Sequence, residues 1–319
     1  MDIDYLLWLQ QLRESINGVL DPFFEAVSYA VISAFAFIVI AGIYWCIDKK
    51  AGAMIFMNLS SGNVMNQTLK NICCVYRPWI RDSRIVPAGD AITTATGYSF
   101  PSGHTQHATA ELGTIAVWQR KRKWLAVLCI AGILLVMFSR NYLGVHTPQD
   151  VIVSFVLCSA VIAVNIFIMR WADKKPNRDW IVFGVGMVLC GAFLVFVSLK
   201  PYPIDYTADG SILVDPAKMI ADCYAAAGYF SGFLIGWIIE RHFIHFEVPK
   251  GIVPKLITLI VGSGLLYGLS ELLKPVKSSL GIWWGNLVYF AFIFLFIMAV
   301  YPAIMKLAKK LFDKKGKQV

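Results

Sequence analysis

The sequence has few charged residues. Only 15% of its 319 residues are Asp, Glu, Lys or Arg, whereas a soluble globular domain has about 25%. Apolar residues make up 58% of the chain, against about 45–50% in an average domain, and they are concentrated in long blocks. This composition excludes an ordinary soluble domain and indicates a polytopic membrane protein.

The apolar blocks predict an all-α membrane helix bundle with about nine transmembrane helices, because a spanning helix needs about 20 apolar residues. The clear candidates are residues 23–47, 124–143, 149–171, 180–199, 219–240, 253–273 and 283–308. Two further candidates, 51–69 and 103–119, are more polar. The several side-chain amides of 51–69 cannot all face lipid, so we expect that segment to lie inside the bundle.

The N-terminal segment lacks the basic start and the continuous apolar run of a signal peptide. Its apolar residues, among them Trp8, Leu9 and Leu12, instead follow helical spacing. We therefore expect residues 1–22 to form an interfacial amphipathic helix, and a frayed terminus is the alternative. Asp21 and Pro22 are predicted to be the N-cap and the first-turn proline of the first span.

The seven cysteines show no Cys-x-x-Cys spacing. Five of them lie in or near apolar segments, where cysteine behaves as a small hydrophobic residue, and the adjacent Cys73 and Cys74 are poorly placed to bridge each other. His104 and His107 lie one helical turn apart but lack a third plausible metal ligand. The sequence therefore predicts no disulfide framework, no metal site and no cofactor.

Basic residues divide unevenly between the two ends of the predicted spans. Of the 29 Lys and Arg, 19 fall at one set of helix ends and ten at the other. The richer set includes the run RKRK at 120–123 and the C-terminal lysines 306, 309, 310, 314, 315 and 317. The positive-inside rule places this set in the cytoplasm, so we expect an extracytoplasmic N-terminus and a basic cytoplasmic C-terminal tail. The net charge of +9 thus indicates topology and contact with membrane lipids, and no nucleic-acid partner.

Three polar segments emerge on the predicted outer face. They are KNICCVYRP at 70–78, PSGH at 101–104 and SRNYLGVHTPQD at 139–150. In the first, Lys70 and Arg77 are two helical turns apart, so both can face one cavity if the helix continues until Pro78 ends it.

The second segment predicts the start of a helix. Ser102 is expected to be the N-cap, which leaves the N–H groups of Gly103 and His104 pointing outward as an anion site. Because glycine has no Cβ, the backbone at Gly103 can approach a ligand closely.

The third segment predicts a helix end followed by a new helix. Arg140 ends one span, and Gly144 is expected to break the helix. Thr147 with Pro148 opens the next span. Asp150 then falls near His146, where a carboxylate would fix the imidazole tautomer and raise its basicity. A phosphate, with about −1.5 to −2 charges near neutral pH, suits the cations and histidines that these segments bring to one face.

These residues resemble the signature motifs of a known family. Lys-x6-Arg-Pro, Pro-Ser-Gly-His and Ser-Arg-x5-His-x3-Asp are similar, in order and in spacing, to the three motifs of the type-2 phosphatidic acid phosphatase superfamily. The resemblance covers residues of about 50–170 and implies a phosphatase that uses no metal. The predicted nine-span layout resembles that of glucose-6-phosphatase and, less closely, of sphingosine-1-phosphate phosphatase.

The resemblance also implies a role for each motif residue. His146 would be the nucleophile that forms a phosphohistidine, and Asp150 would orient it. His104 would protonate the leaving group. The phosphoryl oxygens would be held by Lys70, Arg77, Ser102, Gly103 and Arg140. The corresponding domain division is an interfacial helix at 1–22, a catalytic core of five spans at 23–172 and a four-span extension at 173–319.

The sequence leaves more than one function open. We prefer a membrane phosphatase, in a bacterial cytoplasmic membrane, that acts on a lipid phosphate monoester or diphosphate at the outer face. The alternative is the same chemistry on a soluble sugar phosphate. A non-enzymatic lipid transporter with a vestigial site is a third hypothesis, but no catalytic motif position is substituted. Vanadate-dependent haloperoxidases share the anion site but are soluble. The headgroup, the lipid tail and the oligomeric state are not determined by the sequence.

Overall fold

The computed structural model describes residues 2–207 and 210–315. Within these residues the chain is helical, and its only extended pairing is an isolated bridge between Tyr206 and Ile212. The all-α prediction is therefore confirmed. The side chains of Lys314 and Lys315, and the whole of Lys317, which belong to the predicted basic tail, lie outside the described residues.

The described part of the N-terminal half contains nine α-helices. These are α1 (Asp2–Ser15), α2 (Asp21–Ala30), α3 (Ala34–Gly42), α4 (Lys49–Cys73), α5 (Pro78–Arg81), α6 (Gly103–Ala108), α7 (Thr114–Trp118), α8 (Lys123–Tyr142) and α9 (Pro148–Ala172). A π-helical turn, Ile43–Ile47, continues α3, and another, Thr109–Gly113, joins α6 to α7. A short 3-10 helix covers Gly89–Thr94.

The described part of the C-terminal half adds five helices. These are α10 (Arg178–Leu199), α11 (Pro216–Ile239), α12 (Ile252–Ser279), α13 (Ile282–Leu295) and α14 (Tyr301–Lys315). π-helical turns extend α11 over Glu240–Ile244 and join α13 to α14 over Phe296–Val300.

Six helical segments of the described chain are long and apolar enough to cross a membrane. They are Lys123–Tyr142, Pro148–Ala172, Arg178–Leu199, Pro216–Ile244, Ile252–Ser279 and Ile282–Leu311. A seventh crossing is formed if α2 and the Ala34–Ile47 segment, which are bent by 45°, count as one broken span. The chain is therefore an integral membrane protein, but the predicted count of nine is not confirmed.

The two polar candidates account for the difference between nine and seven. Helix α4 is long, but its amides and hydroxyls lower its hydropathy. Residues 51–60 of α4 are all buried, as expected for a polar segment inside the bundle. The region 103–118 is divided between α6, a π-helical turn and α7, so neither helix alone is long enough to span.

The predicted helix starts are mostly confirmed. Ser102 is the N-cap of α6, and Pro148 is the first residue of α9. At α2, however, Leu20 occupies the cap position and Asp21 is already helical, so the prediction of an Asp21 cap is wrong. The Asp21 carboxylate instead accepts a 3.0 Å hydrogen bond from the hydroxyl of Tyr142.

The described chain forms two compact units, each assembled from several segments. The first contains residues 2–37, Ser61–Val164 and Val197–Ile220, and the second contains Ile38–Ser60, Asn165–Phe196 and the described residues from Ala221 onward. The domain boundaries predicted at 22 and 172 stay predictions.

In the first unit, α1 has one buried face. Leu6 and Leu9 are almost fully buried and pack with Ile85, whereas Trp8 and Leu12 are exposed. A helix therefore forms in the predicted segment, whereas its amphipathic character and its place at the membrane interface stay predictions.

In the second unit, α11 and α13 approach closely through small residues. A Cβ on Gly228 would come within 2.5 Å of the Leu287 carbonyl oxygen, and a Cβ on Gly232 would come within 2.4 Å of the Ala291 carbonyl oxygen. Glycines four residues apart that face a neighbouring backbone are a common membrane-helix contact, since they allow van der Waals packing of the two backbones.

Candidate active site

The eight predicted site residues all lie in the first compact unit. They come from the end of α4, the turn before α5, the start of α6, and the end of α8 with the start of α9. Lys70, Arg77, Ser102, His104, Arg140, His146 and Asp150 are all buried. The structure therefore brings the three polar segments together, while the role of each residue stays a prediction.

The turn between α8 and α9 carries His146, six residues after Arg140. Gly144 has a φ of +71°, and its N–H donates to the Asn141 carbonyl at 3.0 Å while that of Val145 donates to the Arg140 carbonyl at 3.2 Å. This is the Schellman pattern of a helix end, in which a left-handed glycine satisfies the last carbonyls. The His146 N–H also points to the Arg140 carbonyl, at 3.3 Å.

The two ring nitrogens of His146 have different surroundings. Nδ1 lies 3.3 Å from Asp150 Oδ2 and 3.4 Å from Ser99 Oγ. Asp150 Oδ2 in turn accepts hydrogen bonds from Ser99 Oγ at 2.5 Å and from the Thr147 N–H at 2.8 Å. A carboxylate at Nδ1 favours the tautomer with the proton there, which leaves the Nε2 lone pair available for attack.

His146 is held in its neutral form by its surroundings. Nε2 lies 2.9 Å from Arg77 Nη1. Burial, together with the positive charge of Arg77, lowers the pKa of His146 well below its ordinary value, although Asp150 opposes the shift. A neutral imidazole, whose Nε2 lone pair here accepts from Arg77, is the form that can act as a nucleophile.

Arg77 and Lys70 are anchored to the same short turn, residues 96–98. Arg77 Nε donates to the Gly97 carbonyl at 3.0 Å and Nη2 to the Thr96 carbonyl at 2.9 Å. Lys70 Nζ donates to the Tyr98 carbonyl at 2.8 Å. Burial lowers the pKa of Arg77 to about 10, so its guanidinium stays charged at neutral pH.

One part of the Lys70–Arg77 prediction is wrong. Helix α4 does not continue to Arg77; it ends at Cys73, and Cys74 has a left-handed φ of +48°. Pro78 does not end a helix but begins α5. The two basic residues therefore meet through the 96–98 turn rather than along one helix face.

Ser102 and Gly103 start α6 in the predicted manner. Ser102 Oγ accepts hydrogen bonds from the Thr105 N–H at 3.4 Å and from the Thr105 hydroxyl at 3.2 Å. The Ser102 N–H donates to the Asp150 carbonyl at 3.1 Å, which ties this segment to α9. A Cβ on Gly103 would meet no atom within 4 Å, so the backbone there faces open space.

Two buried side chains of the site keep polar atoms without a hydrogen-bond partner among the described residues. They are His104, at Nε2, and Arg140, at Nε and Nη2. Arg140 Nη1 is bonded to the Ser28 hydroxyl. Ser28 and Arg140 line a cavity of about 330 Å³, which is also lined by Glu25 and Asp90 and by no other predicted site residue. Because unsatisfied buried donors are costly, these atoms fit a ligand that supplies several anionic oxygens.

Ser99 is a site residue that the sequence prediction missed. It is buried and bonded to the Asp150 carboxylate. In the sequence, the one feature that could have indicated Ser99 is its position two residues before Pro101. His107, to which no role was assigned, has its Nδ1 3.8 Å from Glu111 Oε1.

The chain belongs to the PAP2 superfamily. The PAP2 superfamily domain matches residues 50–177, which include all eight predicted site residues. A second domain, described as PAP2 superfamily phosphatase, transmembrane extension, matches residues 224–311. The family resemblance is thereby confirmed, whereas the nine-span layout shared with glucose-6-phosphatase is not.

Several curated proteins are similar to this chain. Undecaprenyl-diphosphatase of Sulfolobus acidocaldarius is 28% identical over 118 residues, which are 37% of this chain and 55% of that protein. Phosphatidylglycerophosphatase B of Escherichia coli is 38% identical over 77 residues, 24% of this chain and 30% of that protein. Undecaprenyl-diphosphatase BcrC of Bacillus subtilis is 30% identical over 169 residues, 52% of this chain and 82% of that protein.

The chain thus spans about half and about a third of the lengths of the first two relatives. No solved structure matches it significantly.

Proposed function

We propose that this chain is a metal-independent membrane phosphatase that hydrolyses a lipid phosphate monoester or diphosphate through a phosphohistidine on His146. The observation that carries the proposal is the group of buried cations around a neutral histidine. Arg77 contacts His146 Nε2 at 2.9 Å, and two Arg140 nitrogens have no partner among the described residues. A phosphoryl group would satisfy these donors and present phosphorus to Nε2.

The first chemical step would be attack by His146. Nε2 forms the bond to phosphorus as the bond to the leaving oxygen breaks, and His104 gives that oxygen its proton. Asp150 and Ser99 hold the Nδ1 proton and stabilise the imidazolium character that develops. Arg77, Arg140, Lys70, the Ser102 hydroxyl and the N–H groups of Gly103 and His104 would bind the equatorial oxygens, where negative charge accumulates.

The second step would return the enzyme to its starting state. Water attacks phosphorus, gives a proton to His104 and releases inorganic phosphate as the P–N bond breaks. His104 would thus act as an acid first and a base second.

A lipid substrate is supported by two independent findings. The chain has at least six membrane-spanning candidates, and its relatives bear the names of enzymes of a polyprenyl diphosphate and of a phosphoglycerolipid. Both a monoester and a diphosphate fit these names. The names of these relatives support neither a soluble sugar phosphate nor a transport function.

Purified protein should release inorganic phosphate from a lipid phosphate in the presence of EDTA, and vanadate should inhibit the release. Vanadate adopts the trigonal-bipyramidal geometry of the phosphoryl transition state, which the site would bind more tightly than the substrate. The measurement is phosphate release in detergent micelles. Loss of activity in EDTA that one specific divalent ion restores would contradict the mechanism.

The same assay with several substrates separates the three functions. A lipid monophosphate, a lipid diphosphate and a sugar phosphate should be compared at matched concentrations. Preference for the sugar phosphate would favour the alternative enzyme. Absence of hydrolysis of every substrate, combined with lipid movement between leaflets of a vesicle, would favour the transporter.

We also propose that the chain crosses a bacterial cytoplasmic membrane nine times. Its N-terminus and active site would lie outside the cell membrane, and its C-terminus would lie inside. The proposal is supported by the 19 basic residues at one set of helix ends against ten at the other. The seven candidate crossings of the structure, together with α4 and the 103–118 region, make up the nine.

Cysteines introduced at Asp82 and Lys121 should react oppositely with a membrane-impermeant maleimide. We expect labelling at position 82 in intact cells and at position 121 only after permeabilisation. The background should lack Cys73 and Cys74, since the other native cysteines are buried. Labelling of position 121 alone in intact cells would move the site to the cytoplasmic face.

A further inference from the structure

Residues 200–219 lie between the two family matches, which cover 50–177 and 224–311. They connect α10 to α11, yet they belong to the same compact unit as the site. Their described side chains contact the two stretches of chain that hold Lys70 and Arg77. The contacts fall into two groups, one on residues 71–76 and one on residues 97–98.

The first group of contacts holds the chain between Lys70 and Arg77. Lys200 Nζ donates to the Asn71 carbonyl and contacts Cys74 Sγ at 3.2 Å. It also lies 4.4 Å from the centre of the Tyr202 ring, which stabilises an ammonium group. This cation therefore sits on the strained turn that ends α4, where Cys74 has its left-handed φ.

A second bond holds the same stretch closer to Arg77. The Tyr76 hydroxyl donates to Asp205 Oδ2. Burial and this hydrogen bond raise the pKa of Tyr76 to about 12, so the hydroxyl keeps its proton at neutral pH.

The other group of contacts covers the turn that accepts hydrogen bonds from the two cations. Tyr98 is fully buried in an apolar cluster with Val214 and Met219. A Cβ on Gly97, whose φ is +70°, would come within 2.4 Å of Met219 Sδ. The carbonyls of Gly97 and Tyr98, which bind Arg77 and Lys70, are thus packed against the start of α11.

These contacts would hold the buried cations of the site in place. Lys70, Arg77 and Arg140 are like charges buried close together, and catalysis by fixed donors needs them held in place before the phosphoryl group arrives. On the basis of the proposed function, we propose that residues 200–219 position Lys70 and Arg77 for phosphoryl binding, with Lys200 as the principal positioning residue.

The test is the affinity of the purified full-length protein for vanadate. Lys200→Met removes the ammonium donors and keeps the length of the side chain. We expect vanadate to bind about tenfold more weakly, since bonds from charged donors are among the stronger hydrogen bonds. KM for a lipid phosphate should rise by a similar factor, and kcat should change much less. Lys200→Arg, which keeps the charge and the donors, should stay within about threefold of the unmodified protein.

Lys218→Met is the matched control, because this lysine lies on the same segment with an exposed side chain. It should bind vanadate like the unmodified protein. Unchanged vanadate affinity in Lys200→Met would overturn the proposal. So would an equal loss of affinity and of thermal stability in Lys200→Met and Lys200→Arg, because that pattern shows a structural role alone. If the unmodified protein neither binds vanadate nor releases phosphate, the proposed function itself fails, which is a different result.

Discussion

Replacement of His146 by alanine should abolish turnover of every substrate, by at least about four orders of magnitude. Without the imidazole no phosphoenzyme can form, and the remaining cations can only bind the substrate. The measurement is a single-turnover experiment with a 32P-labelled aryl phosphate, in which the protein is denatured and its bound label is counted.

The control for this variant is His107→Gln. His107 is a mostly buried histidine on α6 to which we assign no chemical role, so its loss reports the effect of removing such an imidazole. It should still trap label. Both variants should keep a comparable thermal midpoint. Trapped phosphate in His146→Ala at the level of the unmodified protein would exclude His146 as the nucleophile.

Replacement of His104 by alanine should reduce the rate according to how strongly the leaving group needs a proton. An alkyl phosphate leaves as a poor alkoxide, so we expect a loss of about 10²–10⁴-fold, the usual size of general-acid catalysis. A nitrophenyl phosphate leaves as a stabilised phenolate and should lose much less. His104 Nε2 is buried without a hydrogen-bond partner among the described residues, as expected of a donor reserved for the substrate.

The two variants together assign the roles. Phosphoenzyme should still form from the aryl ester in His104→Ala and should be absent in His146→Ala. Single-turnover phosphorylation is the appropriate measurement, because His104 would also assist water in the second step and its loss would slow steady-state turnover for that reason. Trapping in His146→Ala but not in His104→Ala would show that the two roles are reversed.

The local elements of the site could be predicted from the sequence, because each depends on residues close together in the chain. Ser102 caps α6 and Pro148 begins α9 since both preferences act within one helical turn. Gly144 follows the end of α8 because glycine readily adopts the left-handed conformation that closes a helix. The same locality places Asp150 one turn from His146.

The path of the chain from Lys70 to Arg77 could not be predicted in this way. Spacing of seven residues is compatible with one helix face, and Pro78 is compatible with a helix end. In the structure α4 stops at Cys73, where Lys200 contacts both Asn71 and Cys74. A residue far along the chain therefore stabilises a break that local propensity does not indicate.

By itself, the sequence determined the helical membrane class, the three groups of polar residues and the helix starts that carry them, because composition, periodicity and capping are local properties. Only the tertiary structure decided which groups surround each charge. The carbonyls that bind Arg77 and Lys70, the hydroxyl of Ser99 on Asp150 and the contacts of residues 200–219 all join parts of the chain that are distant in sequence. A buried cation or carboxylate must be hydrogen-bonded, but many backbone groups can meet that need, and long-range packing selects among them.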